Sequence, residues 1–202
     1  MEANYKEAME LLDKILKIEF PGKPFTEKNK EFLIEYSILK SKGETKKPNE
    51  ILKNIKEDIT AHDTYMKQYP YVQNAKDKLQ ECFDRFGDLY DRDEKPFDDS
   101  FIKFLKWWYG NTDESGERHC YYCGVKETDA KSAFKNKKIS SDKRSFSGTL
   151  QIDRKDSDGK YDEQNCVFAC VLCNNAKSDM ISAEDFENYF GKAIGKFWEH
   201  LK

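Results

Sequence analysis

Two Cys-x-x-Cys pairs constrain this chain more than any other feature: Cys120-Tyr-Tyr-Cys123 and Cys170-Val-Leu-Cys173. A Cys-x-x-Cys turn aims two thiolates at one ion, and two such turns complete a closed tetrahedral zinc site. A lone pair would fit a redox centre equally well. Two together point to structural Zn2+ held by Cys120, Cys123, Cys170 and Cys173. Residues 124–169 lie between the pairs, more chain than a compact zinc ribbon contains, so a subdomain is expected between the knuckles. Cys166 precedes Cys170 by one helical turn and could substitute as a ligand, whereas Cys82 falls in a helical pattern and is expected in the core.

The N-terminal segment, MEANYKEAMELLDKILKIEF, is apolar on one face and acidic on the other. It has neither the basic start nor the unbroken apolar centre of a signal peptide. With six cysteines and no export signal, a reducing, cytoplasmic location is expected, where metal is favoured over disulfide. No apolar run is long enough to cross a membrane.

Residues 1–110 read as a helical region. Leu11, Leu12, Ile15 and Leu16 form the first stripe. A second helix opens at Thr26 and Asn29, carries Phe32, Leu33, Tyr36 and Leu39, and stops at Gly43. Pro48 suits the first turn of a third, with Ile51, Leu52, Ile55 and Ile59 behind it. A longer pattern, broken near Pro70, runs through Leu79, Phe83 and Phe86 to Gly87. DRDEKPFDDS then reads as an acidic turn, and Asp99 or Ser100 caps a short aromatic helix, FIKFLKWWYG, whose Trp and Tyr belong in the core rather than stacked on bases.

Beyond residue 110 the chain grows richer in Gly, Ser, Asn and Cys. A strand is expected over Ser147–Ile152. Near the C-terminus Ser182 and Asp185 have capping-box spacing, and Phe186, Tyr189, Phe190, Ile194, Phe197 and Trp198 form an apolar helical face expected to pack back onto the chain. Charge is uneven. The net charge is −3, yet residues 118–160 hold eleven Lys/Arg against six Asp/Glu. A negative total argues against a protein that coats nucleic acid but leaves room for a local basic patch around the cysteines.

The stretch LQIDRKDSDGKYDEQNC, residues 150–166, is the chemical centre of that patch. It is not a calcium loop. Placing Gly159 at the sixth position of an EF-hand puts Arg154 at the first ligand position and Asn165 where a bidentate Glu is required. Another template fits: a Cys-x-x-Cys pair, a strand ending in Asp153, a loop, Asn165, and then Cys170-x-x-Cys173 followed by Asn174 and Lys177. In this order and spacing the segment Cys120–Lys177 resembles the HNH (His-Me finger, ββα-metal) endonucleases that carry a zinc knuckle.

That resemblance implies an α+β chain with a helical region over 1–110 and, over 111–202, a zinc-braced ββα-metal module with a C-terminal helix. It implies a metal-dependent endonuclease that hydrolyses DNA phosphodiester bonds, with RNA not set aside as a substrate, in restriction, anti-phage defence or a mobile element. Asp153 and Asn174 would ligate a catalytic Mg2+ or Mn2+, hard ions that suit oxygen donors. Asn165 would brace the loop. Arg154 stands where the family places its general-base histidine. Arginine cannot take that proton, because its guanidinium stays charged and has no acceptor, though it could clamp a phosphate. Tyr161, His119, Asp156 and Asp158 are then candidate bases. Lys143, Arg144, Lys155 and Lys177 are candidate nucleic-acid contacts, and the helical region is the place for target recognition, a homodimer or a protein partner. The competing reading is a catalytically inactive zinc-stabilised HNH-like module that binds nucleic acid or a partner protein.

Overall fold

A computed structural model describes residues 2–31, 33–34, 70–140 and 146–202. The helix expected from Pro48 to Ile59 lies outside the described residues. So do Phe32, Tyr36, Leu39, Gly43 and two of the candidate nucleic-acid contacts, Lys143 and Arg144. The architecture is α+β, and contacts divide the chain into Met1–Lys106 and Trp107–Lys202.

In the first unit, α1 (Glu2–Glu19) buries Ala8, Leu12, Ile15 and Leu16, the stripe that its 3.6-residue period dictates. Thr26 and Asn29 then cap the next helical turn reciprocally. The Thr26 N–H donates to Asn29 Oδ1 at 2.8 Å and the Asn29 N–H to Thr26 Oγ1 at 3.2 Å. Helix α2 is described over Pro70–Gly87. It buries Val72, Ala75, Leu79, Cys82 and Phe86, which puts Cys82 in the core. The acidic stretch forms two 3-10 turns, Asp88–Asp91 and Pro96–Asp99, with Phe97 fully enclosed. Of the two expected caps for α3 (Phe101–Gly110), Ser100 is the one that acts, its Oγ accepting the Lys103 N–H at 3.3 Å. Phe97 meets Phe104 edge-on with ring centres 5.2 Å apart, and Phe86 lies 5.3 Å from Phe104.

The second unit begins inside α3. Trp107, Trp108 and Tyr109 are all buried. Trp107 lies 4.8 Å from the Phe168 ring and its Nε1 donates to the Cys166 carbonyl at 3.1 Å, so this aromatic run is core. Helix α4 (Glu127–Lys135) follows, and then the sheet, an antiparallel pair of β1 (Gln151–Arg154) and β2 (Cys166–Ala169). The register sets Gln151 opposite Ala169, Asp153 opposite Val167 and Arg154 opposite Cys166. The strand starts later than the expected Ser147. Gly148 adopts φ +78° and passes so close to α4 that a Cβ there would lie 2.5 Å from the Ala130 carbonyl oxygen, which excludes extended pairing at that point. Helix α5 (Val171–Lys177) leaves β2 directly.

The tail is capped as expected, the Asp185 N–H donating to Ser182 Oγ at 3.1 Å. Helix α6 (Ala183–Asp185) runs through a π turn, Phe186–Gly191, into α7 (Lys192–His200). The extra residue in that turn shifts the phase of everything after it. Phe186 and Trp198 are buried, but Tyr189, Phe190 and Phe197 face solvent, contrary to the single apolar face expected. The π turn ends where the helix passes the first knuckle. A Cβ on Gly191 would lie 2.1 Å from the Tyr122 carbonyl oxygen, and one on Gly195 2.9 Å from that of Cys123.

Candidate metal centre and active site

The sulfur atoms of Cys120, Cys123, Cys170 and Cys173 all lie within 4.8 Å of one another. Cys123 and Cys170 are 3.7 Å apart, close to the roughly 3.8 Å edge of a tetrahedron built on Zn–S bonds of about 2.3 Å. All four thiols are free of disulfides. They form a set of four sulfur donors that can hold a metal such as zinc. Local backbone bonds shape each knuckle. The Gly124 N–H donates to the Cys120 carbonyl at 2.8 Å, with Gly124 at φ +73°, and the Cys173 N–H donates to Cys170 Sγ at 3.4 Å. The thiols also bond one another. Bonds from Cys120, Cys123 and Cys173 hold Cys170 well below the ordinary thiol value, while those to Cys120, Cys123 and Cys170 push Cys173 up. Cys166 lies outside this group. It sits in β2, and burial pushes its thiol up to about 12.

Asp153 occupies the third position of β1, and successive strand residues alternate faces, so Gln151 and Asp153 share one face while Ile152 turns into the core. Helix α5 lies along that face. Asn174 donates its Nδ2 to Gln151 Oε1 at 2.7 Å, and three residues on, Lys177 Nζ lies 3.5 Å from Asp153 Oδ2. The i, i+3 spacing in the helix thus meets the i, i+2 spacing in the strand. The same Asp153 oxygen accepts the Tyr122 hydroxyl at 2.7 Å, tying it to the first knuckle. Burial, reinforced by the Asp153 carboxylate, pushes the Tyr122 phenol far up. It is a donor here.

Lys177 differs from its expected place on a nucleic-acid surface. It is completely buried and spends its ammonium on the carbonyls of Arg154 at 2.9 Å and Ser178 at 3.3 Å as well as on Asp153. Lys155 remains half-exposed beside it. Arg154 turns into the loop: its NH1 donates to the Gly159 carbonyl at 2.8 Å and its guanidinium carbon sits 4.7 Å from the centre of the Tyr161 ring. Asn165 bonds the backbone on both sides of the acidic turn. Its Oδ1 accepts the Asp156 N–H at 2.8 Å, and its Nδ2 donates to the Asp156 and Lys160 carbonyls at 2.9 Å each. Gly159 is needed there, since a Cβ would lie 2.6 Å from Asn165 Nδ2.

The candidate bases are dispersed. Tyr161 is buried beneath Arg154, His119 bonds Asp113 at 2.9 Å, and the Asp156 carboxylate accepts the Asp158 N–H at 3.0 Å. Sequence reasoning missed Tyr122 and Gln151. The period of two along β1 carried a signal for Gln151, but nothing local to Cys120–Cys123 signals a bond to a residue thirty-one positions on. It also missed a buried pair behind the sheet. Glu127, 3% exposed, accepts from Arg118 Nε at 2.8 Å and from the Leu150 N–H at 3.2 Å, with Arg118 stacked 4.6 Å from Trp108.

The donor set at Asp153 and Asn174 fits a hard divalent cation in kind, one carboxylate and one amide oxygen, and few protein donors leave room for water and phosphate. One carboxylate oxygen already serves Tyr122 and Lys177.

No family model matches the chain. No curated protein matches it. Among solved structures it is similar to the rare-cutting HNH restriction endonuclease PacI, described for its perturbation of DNA, with 27% identity over 59% of this chain and 78% of that one and a TM-score of 0.48.

Proposed function

We propose that this chain is an HNH-type endonuclease that hydrolyses DNA phosphodiester bonds, with structural Zn2+ on the four cysteines and catalytic Mg2+ or Mn2+ on Asp153 and Asn174. The observation that carries the reading is the seating of α5 on β1. It brings Asn174 to Gln151 and Lys177 to Asp153 on one strand face, directly beside a four-sulfur cluster. A cation held there would neutralise charge that builds on the phosphate. Asp153 and Asn174 hold it, Asn165 fixes the loop between the strands, and Lys155 with Lys143 and Arg144 contacts the phosphate backbone. Arg154 supports the loop and does not serve as a base, because it has no acceptor to offer. Residues 1–110 supply target recognition or a protein interface. Restriction or anti-phage defence in the cytoplasm is the setting this activity suits.

A second reading, an inactive HNH-like module that binds nucleic acid or a protein, is favoured by the ammonium of Lys177 on an Asp153 oxygen and by the engagement of Arg154 within its own loop. One experiment separates the two. Zinc-loaded protein is incubated with supercoiled plasmid and Mg2+ or Mn2+, alongside Asp153→Ala and Asn174→Ala. Cleavage by the wild type that both substitutions abolish supports the nuclease. DNA retarded on a gel but never cut, with zinc bound, supports the binding module.

A further inference from the structure

We propose that Gln151 is a positioning residue that decides which end of the Asn174 amide faces the cation site; the inference rests on the nuclease reading above. A primary amide carries one acceptor end and one donor end. Only the oxygen can ligate a hard cation. An Asn on a short helix can turn either end inward by rotating its last torsion, and the wrong choice would present N–H2 to a cation.

In this structure Gln151 receives the donor end. Its Oε1 takes the Asn174 Nδ2 at 2.7 Å, which commits the donor end to the strand and leaves Oδ1 as the available acceptor. Both residues are fixed at the backbone. Gln151 is paired with Ala169 in the β1–β2 ladder, and the Asn174 N–H donates to the Cys170 carbonyl at 2.9 Å at the start of α5. Gln151 also shares its strand face with Asp153, so one residue orients the second ligand from beside the first. An outer group that orients a ligand in this way commonly changes metal affinity by about 10–100-fold when removed.

The test is Mn2+ binding, followed by paramagnetic resonance on zinc-loaded protein, in wild type, Asp153→Ala, Gln151→Met and Gln151→Glu. Gln151→Met keeps the side-chain length and removes the acceptor; Gln151→Glu keeps an acceptor. The expected result is Mn2+ affinity about tenfold weaker in Gln151→Met and restored in Gln151→Glu, with the thermal midpoints of wild type and the two Gln151 variants alike. Wild-type affinity in Gln151→Met, or equal losses in both Gln151 variants, overturns the positioning role while leaving the metal site standing. Wild-type protein with no Mn2+ binding that Asp153→Ala removes overturns the metal site itself, and this inference with it.

Discussion

The Tyr122 hydroxyl donates to Asp153 Oδ2 at 2.7 Å, joining the middle of the first cysteine knuckle to the carboxylate near the end of β1. Residues thirty-one apart in sequence thereby share one fate. A hydrogen bond to a charged group contributes about 1.5–3 kcal/mol. Tyr122→Phe is therefore expected to lower the stability of the Trp107–Lys202 unit by an amount in this range. Zinc stoichiometry should stay the same, because the substitution leaves all four sulfurs in place. Urea unfolding beside metal analysis checks both halves of the statement.

Metal removal should act on the same unit far more severely. The four sulfurs join the chain at residues 120–123 to the chain at 170–173, and structural zinc commonly supplies folding energy on the order of 10 kcal/mol. Purified protein is expected to carry about one Zn2+ in this cluster. Stripping it with a strong chelator should abolish cooperative unfolding of residues 107–202, read by amide exchange, while α1 and α2 keep their protection. Persistence of protection across β1 and β2 after complete stripping would show that the sheet stands without metal.

Lys177 is wholly buried, with an ammonium shared among one carboxylate and two carbonyls. Lys177→Met keeps most of the volume and takes one donor away from each of three acceptors, of which Asp153 Oδ2 keeps the Tyr122 hydroxyl and the Ser178 carbonyl keeps Ser157 Oγ. A loss of about 2–4 kcal/mol is expected. A surface phosphate contact would behave differently, costing DNA affinity with no change in stability. Thermal unfolding of the variant, without any DNA, distinguishes the two.

Glu127 sets a pH dependence. Burial pushes its carboxyl up, but the Arg118 and Lys131 charges and the bonds from Arg118 and the Leu150 N–H outweigh this and hold it below its ordinary value of 4.5. A carboxyl lowered by folding binds fewer protons folded than unfolded, so its stabilisation is present above that ordinary value and is lost as pH falls through the folded one. Glu127→Gln is expected to be less stable than wild type near pH 7, by about 2–4 kcal/mol for breaking a buried pair. The gap should narrow as pH drops below about 4. A gap that stays constant between pH 7 and pH 3 would contradict the assignment.

Two glycines provide a contrast in sign. Gly191→Ala would drive a Cβ to within 2.1 Å of the Tyr122 carbonyl oxygen, which is backbone and cannot simply rotate away. Overpacking of this kind costs about 1–3 kcal/mol. Gly87, at the end of α2, has nothing within 4 Å of a Cβ and a helical φ of −58°. Gly87→Ala should stabilise by about 0.4–1 kcal/mol through the unfolded chain alone. Equilibrium unfolding of the two variants should move in opposite directions.

What the sequence by itself determined is whatever depends on local periodicity and local chemistry. The stripe of α1, the Thr26–Asn29 and Ser182–Asp185 caps and the grouping of the four cysteines all follow from residues within a few positions of one another or from the ligand preferences of a thiolate. Tertiary structure decided the rest. It alone set Tyr122 and Lys177 on Asp153, Gln151 on Asn174, and Arg118 on the buried Glu127. It also placed a π turn in the last helix, where Gly191 passes the knuckle. The physical reason is the same in each case. A buried polar group must find a partner, but its identity depends on which elements meet in space, and a lysine destined for the core reads in sequence like one destined for solvent.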